Sequence, residues 1–118
     1  MKLTENFNSD EFRCGCGCGS ALMSPKFIAM LQRMRNLCGY AMIITSGFRC
    51  NNWNMKVGGA ERSYHLTGEA ADIAVASSEG RFFMLKAAME VGFFGVGIDG
   101  AFIHVDMRGE TKAKLWLY

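Results

Sequence analysis

The sequence predicts an α+β domain in which helices pack on one side of a small, mainly antiparallel sheet. Two segments, residues 25–38 and 77–91, carry apolar side chains at helical spacing. The apolar runs between and after them are shorter, as strands are. Near the end, Asp99-Gly100 lies between two apolar runs, which is a hairpin signal. Both element types are therefore expected, with at least one antiparallel strand pair.

The first helix is predicted to begin at Ser24-Pro25, because serine caps helix N-termini and proline suits the first helical position. Gly39 supplies its end. Its apolar stripe consists of Phe27, Met30, Leu31, Met34, Leu37 and Cys38. Residues 41–45 then predict a short buried strand, and residues 51–57 predict one or two helical turns.

Residues 70–76 are small and apolar, as expected for a strand. Ser77 or Ser78 is expected to cap the next helix, which ends at Gly92. This helix carries the apolar residues Phe82, Phe83, Leu85 and Met89. Two strands should follow, joined by the turn at Asp99-Gly100.

Length and composition limit the class of protein. The chain has 118 residues, of which 50% are hydrophobic and 20% charged, so we expect one globular domain spanning residues 1–118. A net charge of +2 is too small to indicate nucleic acid as the main partner. No apolar run approaches the roughly 20 residues that span a bilayer. The first ten residues lack the apolar core of a signal peptide. We expect a monomer that is made in the cytoplasm and does not insert into a membrane.

Residues 63–72, with the sequence S-Y-H-L-T-G-E-A-A-D, carry the strongest chemical signal. Neutral imidazole and ionised carboxylate are ligands of Zn²⁺ in catalytic sites, where three protein ligands leave a fourth position for water. His65 and Asp72 supply two such groups. The chain has only two histidines, and the second is His104. We predict that His65, Asp72 and His104 together bind Zn²⁺.

The predicted last strand contains a second charged group. Strand alternation places Phe102, His104 and Asp106 on one face, with Ile103 and Val105 on the other. A buried histidine and carboxylate both need partners, because burying either alone is costly. An ordinary structural explanation is a histidine hydrogen-bonded to a neighbour, and the alternative is a metal ligand.

Three of the five cysteines, Cys14, Cys16 and Cys18, alternate with glycine. Their spacing is poor for disulfides between neighbours and differs from the C-x-x-C of most structural zinc sites. We interpret the segment as a glycine-rich loop with free thiols. The alternative is a second, structural zinc site completed by Cys50 or Cys38.

Four motifs occur in a characteristic order. They are I-T-S-G-F-R-C at residues 44–50, N-x-x-V-G-G at 54–59, S-x-H-x-x-G-x-A-x-D at 63–72, and G-V-G followed by F-I-H-V-D-M-R between 95 and 108. From about residue 12 to 108, the chain resembles the zinc-dependent peptidoglycan peptidases related to D-Ala-D-Ala carboxypeptidases and L-alanyl-D-glutamate endopeptidases. These enzymes share a fold with the Hedgehog signalling domain.

This resemblance implies zinc ligands at His65, Asp72 and His104. It also implies that Arg49 steadies the substrate or the developing oxyanion, whereas the structural alternative for Arg49 is a surface salt bridge. The implied activity is cleavage of a D-amino-acid-containing amide in peptidoglycan stem peptides. The small size resembles a phage or prophage lysis enzyme acting on the cell wall.

The general base is where the chain departs from the family. Many relatives have Glu or Asp three residues before the last zinc histidine, where this chain has Ala101. Asp106 is our first choice for the base, followed by Asp99 and Glu69. Asp106 has the alternative role of orienting a zinc histidine. Without a base, the protein would be a catalytically silent module that binds cell-wall peptide, or a structural component of a phage particle.

Five other residues can be interpreted from the sequence. Ser63 is expected to fix the metal loop through a hydrogen bond to backbone. Gly68 is expected where the chain turns with positive φ. Trp53 and Trp116 are assigned to packing. Tyr64 is expected at a pocket edge or against substrate.

Overall fold

The computed structural model describes residues 1–118 and contains one five-stranded sheet and three α-helices. The strands are β1 (Ile44–Ser46), β2 (Ala70–Ala74), β3 (Gly95–Ile98), β4 (Phe102–Asp106) and β5 (Lys114–Leu117), and the helices are α1 (Pro25–Cys38), α2 (Asn51–Lys56) and α3 (Ser78–Val91). Short 3-10 helices span Ser9–Phe12, Tyr64–Thr67 and Glu110–Lys112. The strand order is β1-β2-β4-β3-β5, and only β3 and β5 pair in parallel. The predicted α+β class with a mainly antiparallel sheet is confirmed.

Both long helices begin and end at the predicted residues. The Ser24 hydroxyl accepts a hydrogen bond from the Phe27 amide, and Pro25 occupies the first helical position. Ser77 caps α3 in the same way by accepting from Gly80. Gly39 and Gly92 end the two helices in the left-handed conformation. None of the helices combines the length and apolar character that crossing a bilayer requires.

The hydrophobic core lies between these helices and one face of the sheet. From the helices it contains Phe27, Ile28, Leu31, Met34, Met84, Ala87, Ala88 and Val91, and from the strands Ala71, Ile73, Val96, Ile103 and Val105. Phe7 and Phe12 from the N-terminal segment join the same cluster. The sheet therefore has one apolar face covered by helices and a second face on which polar side chains can form a site.

The structure corrects the predicted apolar stripes of the helices. Leu37 was assigned to the stripe of α1 but is 53% exposed. In α3, the side chains of Phe82, Phe83 and Met89 are exposed as well. The buried residues of α3 follow the spacing of one helical face and are mostly small: Met84, Ala87, Ala88 and Val91. Helix α3 therefore contributes mostly small side chains to the core.

Two strand bounds differ from the prediction, and one strand was not predicted. β1 begins at Ile44 rather than at residue 41, and β2 ends at Ala74 rather than at residue 76. β5 was not predicted at all. Its apolar residues Leu115 and Leu117 are 61% and 78% exposed, so it lacks the buried apolar side of an ordinary strand. Backbone pairing with β3 holds this edge strand in place.

Leu31 and Leu37 provide a matched pair for testing the core assignment. Leu31→Ala should lower the free energy of unfolding by about 2–5 kcal/mol, because the Leu31 side chain is fully buried. Leu37→Ala, on the same helix, should change it by no more than about 0.5 kcal/mol. Urea unfolding of both variants measures the difference. Equal losses would contradict the burial described for α1.

Candidate metal centre and cleft

Three predicted ligands meet on the face of the sheet opposite the core. One ligand atom from each of His65, Asp72 and His104 lies within 4.8 Å of the other two. Asp72 Oδ1 is 3.3 Å from His65 Nε2 and 2.9 Å from His104 Nδ1. All three residues are buried. Side chains that are far apart in sequence thus form a compact group that can hold a metal ion.

The register between β2 and β4 brings two of these ligands together. Asp72 on β2 lies directly opposite His104 on β4, and Ala70 lies opposite Asp106. Directly opposite side chains on antiparallel strands share a face and are close neighbours. His104 and Asp106 also share that face with each other, as strand alternation predicted.

His65 reaches the group from a loop. It lies in the 3-10 helix Tyr64–Thr67, which begins with a hydrogen bond from the His65 amide to the Ser63 hydroxyl. The turn ends at Gly68, whose φ is 71°. Both structural predictions for Ser63 and Gly68 are confirmed. A side chain at Gly68 would also collide with the backbone at Leu22.

The hydrogen bonding of His65 fits a metal ligand. Its Nδ1 lies 2.7 Å from the Gly47 carbonyl oxygen, which can only accept a hydrogen bond, so Nδ1 carries the proton. Nε2 is then a buried lone pair without a hydrogen-bond partner, and it faces a carboxylate oxygen of Asp72. A buried lone pair beside an anion is unfavourable unless a cation or proton lies between them. Two imidazoles and one carboxylate form a ligand set that zinc accepts.

Arg49 lies beside this group rather than on the surface. One terminal nitrogen is 3.4 Å from Asp72 Oδ2, and the side chain is only 15% exposed. The other guanidinium nitrogens donate to the Ser46 hydroxyl and the Asn54 side-chain carbonyl, both at 3.2 Å. The alternative of a surface salt bridge is therefore wrong. The guanidinium is held at the wall of a cleft that is also lined by His65, Asp72 and His104.

Asp106 is fully buried, and both of its carboxylate oxygens accept hydrogen bonds. His104 Nε2 lies 2.8 Å from one oxygen, and Arg108 donates to both through its side chain and its amide. Burial alone would raise the pKa of Asp106, but the hydrogen bonds from Arg108 and His104 hold it well below its usual range. Because His104 Nε2 faces Asp106, the ring presents Nδ1 to Asp72.

The other two carboxylates considered as bases lie outside the cleft. Asp99 accepts from the Ala101 amide in the β3–β4 turn. Glu69 accepts from the Thr67 hydroxyl. The only acidic side chains that line the cleft are those of Asp72 and Asp106. Neither Asp99 nor Glu69 is positioned to exchange a proton with a group bound beside the histidines.

The cleft has a volume of about 560 Å³ and an aromatic wall formed by Tyr64 and Trp116, of which the sequence predicted only Tyr64 at a pocket edge. The Arg108 guanidinium lies 5.1 Å from the ring centroids of both Tyr64 and Trp116. Trp116 is also 5.1 Å from the His104 ring. Trp116 therefore packs within the cleft rather than in the hydrophobic core, because β5 carries it beside Gly97. Apart from Tyr64, the motif containing Arg108 was the only signal in the sequence for this wall.

Basic side chains outnumber acidic side chains in the lining of the cleft. Four of them, Arg49, Arg62, Arg108 and Lys114, accompany the two carboxylates, which already have arginine partners. Excess positive charge in a cleft concentrates anionic ligands. The lining therefore favours a ligand that carries a carboxylate or another negative group.

The buried charges give the metal-free protein a characteristic dependence of stability on pH. Burial opposes both shifts, yet the hydrogen bond from His104 holds the pKa of Asp72 below its usual range, and hydrogen bonds to Asp106 and Asp72 raise the pKa of His104. A depressed carboxyl pKa stabilises the fold above roughly pH 4, and this contribution is lost at lower pH. A raised histidine pKa stabilises it below roughly pH 6.5, and this contribution is lost as pH rises further.

We therefore expect stability of the metal-free protein to be greatest between about pH 4 and pH 6.5. Urea unfolding at a series of pH values, with chelator present, measures this dependence. His104→Gln should remove the decline above about pH 6.5, because the titrating group is gone. An unchanged decline in that variant would show that other groups cause it.

Comparison with known proteins agrees with this geometry. Residues 5–106 match the peptidase M15 family. Over 90 residues the chain is 39% identical to the zinc D-Ala-D-Ala carboxypeptidase of Streptomyces albus G. That alignment covers 73% of this chain but only 34% of the relative, so the chain spans about a third of the relative's length. The resemblance noted in the sequence is confirmed, and the chain belongs to the peptidase M15 family.

Proposed function

We propose that this protein is a zinc metallopeptidase that cleaves a D-amino-acid-containing amide bond in peptidoglycan stem peptides. The observation that carries the proposal is the convergence of His65, Asp72 and His104, with the unpartnered His65 Nε2 facing Asp72. Membership of the peptidase M15 family and the zinc carboxypeptidase relative support the same chemistry. Residues 1–118 then act as one peptidase domain and as a monomer.

The substrate class follows from the cleft and the relative. Stem peptides carry carboxylates, and the basic lining that includes Arg62, Arg108 and Lys114 suits them. The proposal covers a carboxypeptidase, which removes a terminal residue, and an endopeptidase, which cuts within the peptide. Under either form of the proposal, the protein acts on the bacterial cell wall as a phage- or prophage-type lysis enzyme.

The residues of the site have different roles in the proposed reaction. His65, Asp72 and His104 would hold zinc, which when bound lowers the pKa of a water ligand and polarises the scissile carbonyl. Gly47 fixes the His65 tautomer, so that Nε2 remains free as a ligand. Arg49 offers guanidinium donors from the cleft wall, where negative charge develops on the carbonyl oxygen.

Asp106 was expected to be the general base, and its contacts favour the alternative of a positioning residue. Its carboxylate is buried and is shared between His104 and Arg108. Such a partner fixes the orientation of a metal-binding imidazole and increases its basicity. Asp106 can accept a proton from the cleft only if its ion pair with Arg108 opens.

Digestion of purified muropeptides, followed by mass spectrometry, tests the activity. The zinc-loaded protein should release a terminal D-alanine or cut an internal amide, and the product masses separate these two cases. His65→Ala should lower kcat/KM by about a thousandfold or more, because metal catalysis contributes several kcal/mol. Lys86→Ala, in an exposed ion pair on α3, is the matched control and should retain activity. No turnover by the zinc-loaded wild type would refute the peptidase proposal.

Asp106→Asn distinguishes the two roles of Asp106. A positioning residue predicts a drop in zinc affinity of about 10–100-fold, because His104 loses its anionic partner. A general base instead predicts unchanged affinity and a kcat lowered by about 10²–10⁴-fold. Zinc competition with a chromophoric chelator gives the affinity, and muropeptide turnover gives kcat. Asp99→Asn, outside the cleft, should alter neither quantity.

A second candidate is a zinc-containing module that binds cell-wall peptide without cleaving it. The observation in its favour is that both acidic side chains lining the cleft, Asp72 and Asp106, already have arginine partners. Binding of muropeptides measured by calorimetry, with no products after long incubation, would select this function over the peptidase.

A further inference from the structure

Four of the five cysteines form a cluster outside the cleft. The Sγ atoms of Cys14, Cys16, Cys18 and Cys50 all lie within 4.8 Å of one another. Cys50 comes from the start of α2, 32 residues after Cys18 in the sequence. Cys38 lies elsewhere, buried at the end of α1, where it bonds to the backbone of Arg35 and Tyr40. Cys50 and Cys38 were the two candidates for a fourth ligand, and the fold places Cys50 in the cluster.

The separations between these sulfur atoms are those of metal ligands. The Sγ atoms of Cys14 and Cys16 are 3.5 Å apart, and each lies 3.7 Å from Cys50 Sγ. Four sulfurs bound tetrahedrally at about 2.3 Å from one zinc ion are about 3.8 Å from each other. A disulfide needs about 2.05 Å, so the cluster consists of unbonded thiols at metal-site spacing.

The glycines between the cysteines explain how an unusual spacing reaches this geometry. Gly17 and Gly19 both have φ of 84°, a conformation that residues with a side chain rarely adopt. These two turns allow cysteines only two residues apart to direct their sulfurs inward. At Gly15, a Cβ would lie 2.7 Å from the Trp53 indole nitrogen, so glycine allows the loop to pack on α2.

Backbone amides in the cluster point at sulfur. The Cys50 amide donates to Cys14 Sγ at 3.4 Å, and the Cys18 amide donates to Cys16 Sγ at 3.3 Å. Hydrogen bonds to a charged acceptor stabilise it, so they favour thiolate over thiol. Such contacts around a metal site orient its ligands. The exposed Cys16 and Cys18 leave one side of the cluster open for a metal ion to enter.

We propose that Cys14, Cys16, Cys18 and Cys50 form a structural tetrathiolate site for Zn²⁺, separate from the group in the cleft. The sequence favoured free thiols because C-x-C-x-C is not the usual spacing, and the arrival of Cys50 changes that interpretation. A metal ion here links the loop of residues 13–20 to the start of α2. Because Cys50 directly follows Arg49, the metal ion also restrains the backbone at Arg49, which lines the cleft. The proposal does not depend on peptidase activity.

Cobalt substitution tests this site in the full chain. Reduced, metal-free protein is titrated with Co²⁺ under nitrogen, and the absorbance band from thiolate-to-cobalt charge transfer is recorded. We expect an intense band that saturates at one equivalent for the cluster and disappears when Zn²⁺ is added. The cleft group contains no thiolate, so cobalt bound there does not produce this band. Absence of the band in the wild type would overturn the proposal without any variant.

Variants separate the two metal positions. Cys50→Ser should remove most of the band and weaken zinc binding at the cluster by more than about a hundredfold, since a lost ligand costs more than a lost orienting partner. Cys38→Ser is the matched cysteine control and should leave the band unchanged. His104→Ala should also leave it unchanged while removing the other equivalent of zinc. Loss of the band in His104→Ala but not in Cys50→Ser would overturn the assignment.

Metal content and thiol labelling complete the test. Wild-type protein loaded with zinc should contain two equivalents, and each of Cys50→Ser and His104→Ala should contain one. Bound zinc should slow labelling of the exposed Cys16 and Cys18 by an alkylating reagent at least tenfold. Equal labelling rates with and without zinc, a disulfide within the cluster, or iron in the purified protein in place of zinc would each overturn the zinc assignment.

Discussion

The register between β2 and β4 is the constraint on which the rest of the site depends. It places Asp72 opposite His104 and Ala70 opposite Asp106, so that three ionisable side chains share one face. The alternate residues Ile73, Ile103 and Val105 enter the core and are fully buried. A slip of one residue would exchange the two faces, which would bury charges in the core and expose apolar side chains. The energy that fixes the core therefore also fixes the geometry of the site.

Burying these charges requires partners, and the chain supplies an arginine for each carboxylate. Arg49 pairs with Asp72, and Arg108 pairs with Asp106. His104 lies between the two acids and contacts both. Removing one member would leave an uncompensated buried charge, which is strongly destabilising. This interdependence keeps the imidazole in one orientation and presents one nitrogen to the metal position.

Two glycines on β3, Gly95 and Gly97, leave space for the site. Gly95 lies opposite Asp106, and Gly97 lies opposite His104 on the same face. A Cβ at Gly95 would collide with the Asp106 carboxylate, and one at Gly97 would lie 2.6 Å from the Trp116 indole. Glycine in a strand often marks close approach of another group. The G-V-G motif thus allows the acid and the tryptophan to lie over β3, where they form the floor and wall of the cleft.

The sequence by itself determined the features that depend on local patterns. Serine and glycine at their ends defined α1 and α3, alternation put His104 and Asp106 on one face, and the rarity of histidine identified His65 and His104. Only the tertiary structure decided which distant groups meet. It joined Cys50 to the glycine-rich loop, paired Asp106 with Arg108, and added β5 with Trp116 to the edge of the sheet. These contacts link segments that have no common periodicity. Chain packing and strand pairing bring them together, and neither can be seen in the spacing of residues along the sequence.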